Sequence, residues 1–259
     1  MSGNQQLQCT IFIPTRNSGQ WIGLFARAYR GLGVNPVYLV DTRTSDNTAD
    51  VLRELSMEVV PVTPKADRVE AVLSEIPALC GSPWALRFDD DEFPSVALVS
   101  WLRSSLEGVK GDVVALSRRA CCLGNDGVMR FSRAEMFYWD EKHPEILDPQ
   151  LRLFRPACVR YTDQIHTPGV IGNGEIGYAP SSAFFAHFDW IVHTAAERVS
   201  KLRNYDKQAP GSLKYARFYL PECLTTERLR ETEFAGKEFD DIGRALVEAR
   251  TVRLLNSLK

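Results

Sequence analysis

From its amino terminus the chain alternates short apolar runs with stretches whose apolar residues recur every three or four positions. Cys9 to Pro14 (CTIFIP) is such a run, ended by a proline, the pattern of a buried strand. Trp21, Ile22, Phe25, Ala28 and Tyr29 follow at helical spacing, with Ser18 as the expected cap and Gly31 and Gly33 as the stop. The alternation then repeats. Pro36 to Asp41 (PVYLVD) predicts a second strand, and Val51, Leu52 and Leu55 a helix capped by Ser45 or Asp46. Met57 to Val62 predicts a third strand, Ala66 to Leu79 a helix, and Pro83 to Asp89 (PWALRFD) a fourth strand.

Strands separated by helices imply right-handed β-α-β crossovers and a mostly parallel sheet flanked by helices, an α/β fold. Ligands of such sheets bind beyond the carboxyl ends of the strands. Thr15, Arg16 and Asn17 follow the first strand, Asp41 ends the second, and Asp89 to Asp91 follow the fourth, so these residues are expected to line one crevice. After about Ser95 the pattern loosens into a helix (Val96 to Leu106), a strand-like run (Asp112 to Ser117) and mixed segments. Near the carboxyl terminus Phe239, Ile242, Ala245, Leu246, Ala249 and Val252 form one apolar face, expected to dock on the core.

The 259 residues are 44% hydrophobic and 25% charged, which fits a globular chain with a real core. The balance of 31 basic and 33 acidic residues, net −2, gives no electrostatic reason to expect binding to duplex nucleic acid. Nothing approaches the ~18 apolar residues of a membrane span, and no signal-peptide layout opens the chain. None of the six cysteines forms a C-x-x-C pair; they read as small buried hydrophobes in a reducing compartment, and the cytoplasm is expected.

The densest chemical signal is Arg87-Phe88-Asp89-Asp90-Asp91-Glu92. Four acids held together repel unless a cation or hydrogen-bond donors balance them. Strand alternation points Asp89 and Asp91 to the same side. Oxygen ligands of this kind suit Mg²⁺ or Mn²⁺. The same run also reads as a solvated acidic turn ahead of a helix that Pro94 starts.

IPTRN (Ile13 to Asn17), VDTRTSDNT (Val40 to Thr48) and WALRFDDDEFPS (Trp84 to Ser95), followed by QLRLFRP (Gln150 to Pro156), the stretch around Ile165-His166 and HFDW (His187 to Trp190), come in an order and spacing that resembles the glycosyltransferase family 2 GT-A domain. The resemblance covers roughly the first 190 residues. It implies a GT-A-like nucleotide-sugar-binding and catalytic domain over 1–190, with 191–259 as a C-terminal helical annex packed on it. It also implies a metal-dependent transfer of a sugar from a nucleotide-diphosphate sugar, with uridine as the base, to an acceptor hydroxyl with inversion.

Laid on these residues, the resemblance puts Pro14 and Thr15 against the nucleoside, with Arg16 and Asn17 nearby. Asp41 would accept a hydrogen bond from uracil, Asp67 or Arg68 would flank the base, Asp89 would face the ribose beside Asp90, and Asp91 would hold a Mn²⁺ or Mg²⁺ ion, with Asp89 and His187 as further ligands. One departure stands out. The family's aspartate-aspartate-glycine-serine after the second strand is here Asp41-Thr42-Arg43-Thr44. Arg198 and Lys201, on a helix after HFDW, are candidates to close over the diphosphate, or else a solvated helix face; Arg152 and Arg155 make one face of a strand basic.

Inversion needs a base for the acceptor proton. Many relatives carry glutamate after the histidine matched by His166; here that position is Thr167, so Asp163 is the candidate base, with His166 on the acceptor side. Phe137, Tyr138 and Trp139 are candidates to stack on an acceptor, or to pack in the core. Without a membrane anchor the expected acceptor is a small molecule, a carrier-bound intermediate or a glycan. Two other classes stay open: a nucleotidyltransferase, and a non-catalytic nucleotide-sugar binder that has lost its base.

Overall fold

The computed structural model describes residues 6–257 except 67, 125, 133–138, 163, 165–166 and 221–231. The chain forms two compact units, one of Met1–Ser117 with Pro149–Phe185, the other of Arg118–Asp148 with Ala186–Lys259. In chain order the first unit holds β1 (Cys9–Thr15), α1 (Ile22–Gly31), β2 (Val37–Asp41), α2 (Thr48–Glu54), β3 (Glu58–Val62), α3 (Ile76–Leu79), β4 (Trp84–Arg87), β5 (Glu92–Pro94) and α4 (Val96–Ser104). Strand β6 (Val113–Leu123) starts in the first unit and continues into the second, which carries β7 (Met129–Ser132), β8 (Trp139–Asp140) and β9 (His143–Leu147). The chain returns to the first unit for β10 (Pro149–Phe154), β11 (Arg160–Tyr161), β12 (Val170–Ile171) and β13 (Ile176–Tyr178), and leaves it along β14 (Phe184–His187). The second unit then adds α5 (Asp189–Val192), α6 (Ala195–Gln208), α7 (Ala216–Tyr219), β15 (Thr232–Phe234) and α8 (Lys237–Ser257). The fold is mixed α/β, a central sheet flanked by helices.

Within the first unit β1 lies between β2 and β4 and is parallel to both, with Thr15 opposite Val40 and Phe12 opposite Arg87. β3 continues the parallel set beyond β2. On the other side β10 runs antiparallel to β4 and to the start of β6. Because β1, β2 and β4 are parallel neighbours, Thr15, Asp41 and the residues after Arg87 emerge at one rim. Phe12, Val37, Leu39, Ala85, Val113 and Phe154 form a core with Val72, Leu73 and Ile76. A second aromatic cluster joins α1 to the strands: Tyr29 meets Phe93 edge-on at 5.0 Å and Phe88 lies 5.3 Å from Phe185.

Local chemistry explains where elements start. Ser18 does not cap α1 with its side chain; its carbonyl takes the N–H groups of Trp21 and Ile22, and its hydroxyl is used elsewhere. Asp46 accepts from the backbone N–H of Thr48 at 3.0 Å and so closes the start of α2. Ser95, after Pro94, caps α4 by accepting from Leu98 N–H at 3.1 Å. The helix expected over 66–79 is a 3-10 turn (Val69–Glu75) followed by the single turn of α3. Pro77 is the reason: it lacks the N–H that a continuous α-helix would bond to the Leu73 carbonyl.

In the second unit β7 pairs with the end of β6 and with β15. Helix α8 covers this ribbon, with Phe239 edge-on to Phe131 at 5.2 Å and Asp240 accepting from Met129 N–H at 2.9 Å. Of the apolar face expected there, Phe239 and Leu246 are buried, but Val252 is 52% exposed, so the face ends early. Ala120, Leu147 and Trp190 form a small core with Cys122 and Phe218. A reciprocal Thr194–Glu197 capping box starts α6. No helix among the described residues is long and apolar enough to cross a membrane.

Candidate functional site

The rim at the carboxyl ends of β1, β2 and β4 is held together by side chains. Thr15 donates to Asp90 at 2.9 Å, and Ser18, fully buried, also donates to Asp90. The turn after β1 is tied to the loop after β2 as well: Asn17 accepts from Ser45 N–H at 2.8 Å, and Gly19 N–H donates to Asp46 at 2.9 Å. Gly19 packs closely here, and a Cβ at this position would push against the Asn47 side-chain amide. Asn17 adopts the left-handed backbone region, φ 54°. Pro14 is buried, whereas Arg16 and Asn17 are exposed at the rim.

The acidic run is a turn, not the end of a strand. Glu92 N–H donates to the Asp89 carbonyl at 3.1 Å, and Asp89 N–H donates to the Glu92 carboxylate at 2.8 Å. Strand alternation therefore does not govern Asp89 to Asp91, because the backbone turns there, closed by the Glu92 N–H to Asp89 carbonyl bond. Both Asp89 oxygens are taken, one by Arg87 at 2.6 Å and the other by Arg152 at 2.8 Å. Arg152 also donates to Glu92 at 2.8 Å, and both Arg152 and Glu92 are buried. Burial by itself raises the Asp89 carboxyl pKa, but the charges of Arg152 and Arg87 outweigh it and hold Asp89 well below the usual carboxylate range. Arg152 answers in kind: burial lowers its pKa, and Asp89 and Glu92 more than restore it. Asp91 is buried at 3% exposure, one step beyond this paired cluster.

Asp41, also buried, is enclosed by its own neighbour. Arg43 reaches back with Nε at 2.9 Å from Oδ1 and Nη2 at 2.6 Å from Oδ2, while its backbone N–H donates to Oδ1 at 2.8 Å. Arg16 lies 3.9 Å from the same carboxylate. Burial raises the Asp41 pKa, but the hydrogen bonds and charge of Arg43 bring it below normal. Arg43, two residues beyond Asp41, is thus its main partner. Arg68, half-buried, precedes the 3-10 turn.

The second unit holds its own polar cluster. Asp189, 1% exposed, accepts from Lys201 at 2.9 Å and lies 3.1 Å from His193 Nδ1. Burial raises the Asp189 pKa, and Lys201, His193 and His187 together drive it well below normal. Arg198 is buried and donates to the carbonyls of His193 and Trp190 at the end of α5. His187 ends β14 and is half-buried.

Asp67, Asp163 and His166, expected beside the base and at the acceptor, lie outside the described residues, as do Phe137 and Tyr138. The structure brings Thr15, Arg16, Asn17, Asp41 and Asp89 to Asp91 to one rim of the first unit, while Arg198, Lys201 and His187 belong to the second unit. The sequence pattern gives Arg152 and Ser18 no role at the acidic turn, and it does not mark Asp189. The only signal for Arg152 was its alternation with Leu151 and Leu153; the pairing of β10 with β4 supplies the rest. At the acidic turn, Asp91 and not Asp89 suits a divalent cation. Asp91 offers a buried carboxylate, and Mg²⁺ commonly takes only one or two protein carboxylates, whereas Asp89 already binds two guanidinium groups.

No protein-family model matches the chain. No curated protein matches it either. Among solved structures, residues 1–349 of Staphylococcus aureus TarS align over 84% of this chain and 75% of theirs, at 11% identity and a TM-score of 0.50. The same protein in complex with UDP-GlcNAc aligns over 69% and 58%, at 10% identity and TM-score 0.48. A CMP-2-keto-3-deoxy-manno-octonic acid synthetase complexed with CTP aligns over 57% and 74%, at 13% identity and TM-score 0.35. The chain spans about half, 46%, of a longer TarS structure. The fold is therefore similar to GT-A structures such as TarS.

Proposed function

We propose that this protein transfers a sugar from a nucleotide-diphosphate sugar to an acceptor hydroxyl. The observation that carries the reading is the convergence of the acidic turn after β4 with the ends of β1 and β2, fastened by the Thr15–Asp90 hydrogen bond and by Arg16 beside Asp41. A crevice outside the carboxyl ends of parallel strands is where α/β sheets bind nucleotides. In this reading Pro14, Thr15, Arg16 and Asn17 line the nucleoside side, with Asp41, Arg68 and Asp67 around the base. Asp91 would hold the divalent cation, Mg²⁺ or Mn²⁺. The chemistry such an ion supplies when bound is neutralisation of the charge gathering on the departing diphosphate. Asp89 and Asp90 work differently: Asp90 fixes the turn to β1, and Asp89 anchors Arg87 and Arg152 beneath it. Asp163 is the proposed base for the acceptor proton, with His166 on the acceptor side, and direct displacement then gives inversion. A uridine donor, a soluble acceptor and a cytoplasmic setting belong to the same proposal.

A thermal-shift and turnover screen of nucleotide sugars with Mg²⁺ and Mn²⁺ tests it. A donor at about 100 times its Kd adds ~2.7 kcal/mol of stability. Release of a nucleoside diphosphate supports the transferase. Release of pyrophosphate from a nucleoside triphosphate would make the chain a nucleotidyltransferase instead, and donor binding without any turnover would make it a binding protein.

A further inference from the structure

We infer that Arg43 loosens the base selectivity of this crevice by occupying the acceptor atoms of Asp41, so that uridine and cytidine nucleotides bind alike. The inference rests on the donor reading given above. An ionised carboxylate only accepts hydrogen bonds, so at the rim Asp41 is suited to a ring N–H such as N3–H of uracil and unsuited to the bare N3 of cytosine. A carboxylate free to act in this way would separate the two pyrimidines strongly. Here three N–H groups of Arg43, one backbone and two guanidinium, already meet its two oxygens. Oδ1 takes two N–H groups of Arg43, at 2.8 and 2.9 Å, and Oδ2 takes Nη2 at 2.6 Å, with Nε at 3.1 Å. The side-on fork matches the carboxylate plane and is the geometry in which an arginine–carboxylate pair is most specific. Arg43 Nη2 also donates to the Ala66 carbonyl at 3.3 Å, which steadies the arginine in this position.

Its side chain is 38% exposed, so replacing it removes a partner of Asp41 without opening the core. The position matters because Arg43 stands two residues beyond Asp41, where its own backbone N–H and its guanidinium meet the same carboxylate. Alanine at this position would return Oδ2 and one lone pair of Oδ1 to a ligand.

The test is calorimetric titration of UDP and CDP, each with Mn²⁺, into the wild-type chain, Arg43→Ala and the double variant Asp41→Ala/Arg43→Ala. The wild type is expected to bind the two nucleotides within about threefold of each other, and Arg43→Ala to gain at least about tenfold in favour of UDP, or ~1.4 kcal/mol. The double variant should lose that gain, since the freed acceptor is Asp41. A wild-type preference for UDP of about tenfold or more, or an unchanged ratio in Arg43→Ala, overturns the inference and leaves the donor reading standing. If neither nucleotide binds any of the three proteins, the donor reading falls and this inference with it.

Discussion

Arg152 is half-hidden in the sequence and buried in an ion cluster in the structure. Its guanidinium bridges Asp89 and Glu92 and lies 5.9 Å from the ring centroid of Phe185, where water has little access. Removing one member of a buried ion cluster leaves the others uncompensated, at a typical cost of about 3–5 kcal/mol. Arg152→Ala is therefore expected to lower the unfolding free energy from urea titration by that order, and Arg152→Lys to recover only part of the loss, because one ammonium does not match two carboxylates as a fork does. The pH dependence has a defined sign. Asp89 has a folded-state pKa below its unfolded value of ~3.9, so its stabilisation is fully present above about pH 4 and is lost as the pH falls towards the folded value. Unfolding curves should show wild-type stability dropping below about pH 4, with a flatter acid limb in Arg152→Ala. Asp91 makes a different prediction. Asp91→Ala should abolish the part of UDP affinity that depends on Mn²⁺; equal Kd values with and without the ion in both proteins would remove the metal role.

Elements here are set by short-range chemistry wherever the sequence offers it. Ser95 stops the backbone of β5 and starts α4 with one side-chain hydrogen bond, so Ser95→Ala should cost about 1 kcal/mol, read as a shift in thermal midpoint. The strands were legible because their apolar runs are continuous and buried on both sides, as in β1, β2 and β4. The helix over 66–79 was not, since apolar spacing persists through a segment in which Pro77 removes a backbone donor. Ser18 misleads for a related reason. It stands at a helix start, as a capping residue does, but its hydroxyl is drawn to a carboxylate 72 residues away, a partner no local pattern reveals.

At the scale of the whole chain, each unit draws on segments distant in sequence. The first closes its sheet by returning at Pro149 to lay β10 against β4, and the second joins 118–148 to 186–259. In the second unit α8 supplies the cover for β7, through Phe239 on Phe131 and Asp240 on Met129. Deleting residues 237–259 is expected to expose that ribbon and raise binding of a hydrophobic dye strongly, while a dye signal equal to the full chain would show the helix to be dispensable.

The sequence by itself determined the alternation of strands and helices, the parallel order of the first strands and the emergence of Thr15, Asp41 and the acidic run at their carboxyl ends, because burial periodicity and chain connectivity are local properties. Only the tertiary structure decided how those acids are employed. The charge state and reach of Asp41 and Asp89 depend on which guanidinium groups lie within hydrogen-bond distance; Arg43 folds back from two residues away, and Arg152 arrives across a strand pairing spanning more than sixty. Coulomb interactions and desolvation act through space, and the linear order of residues does not carry those distances.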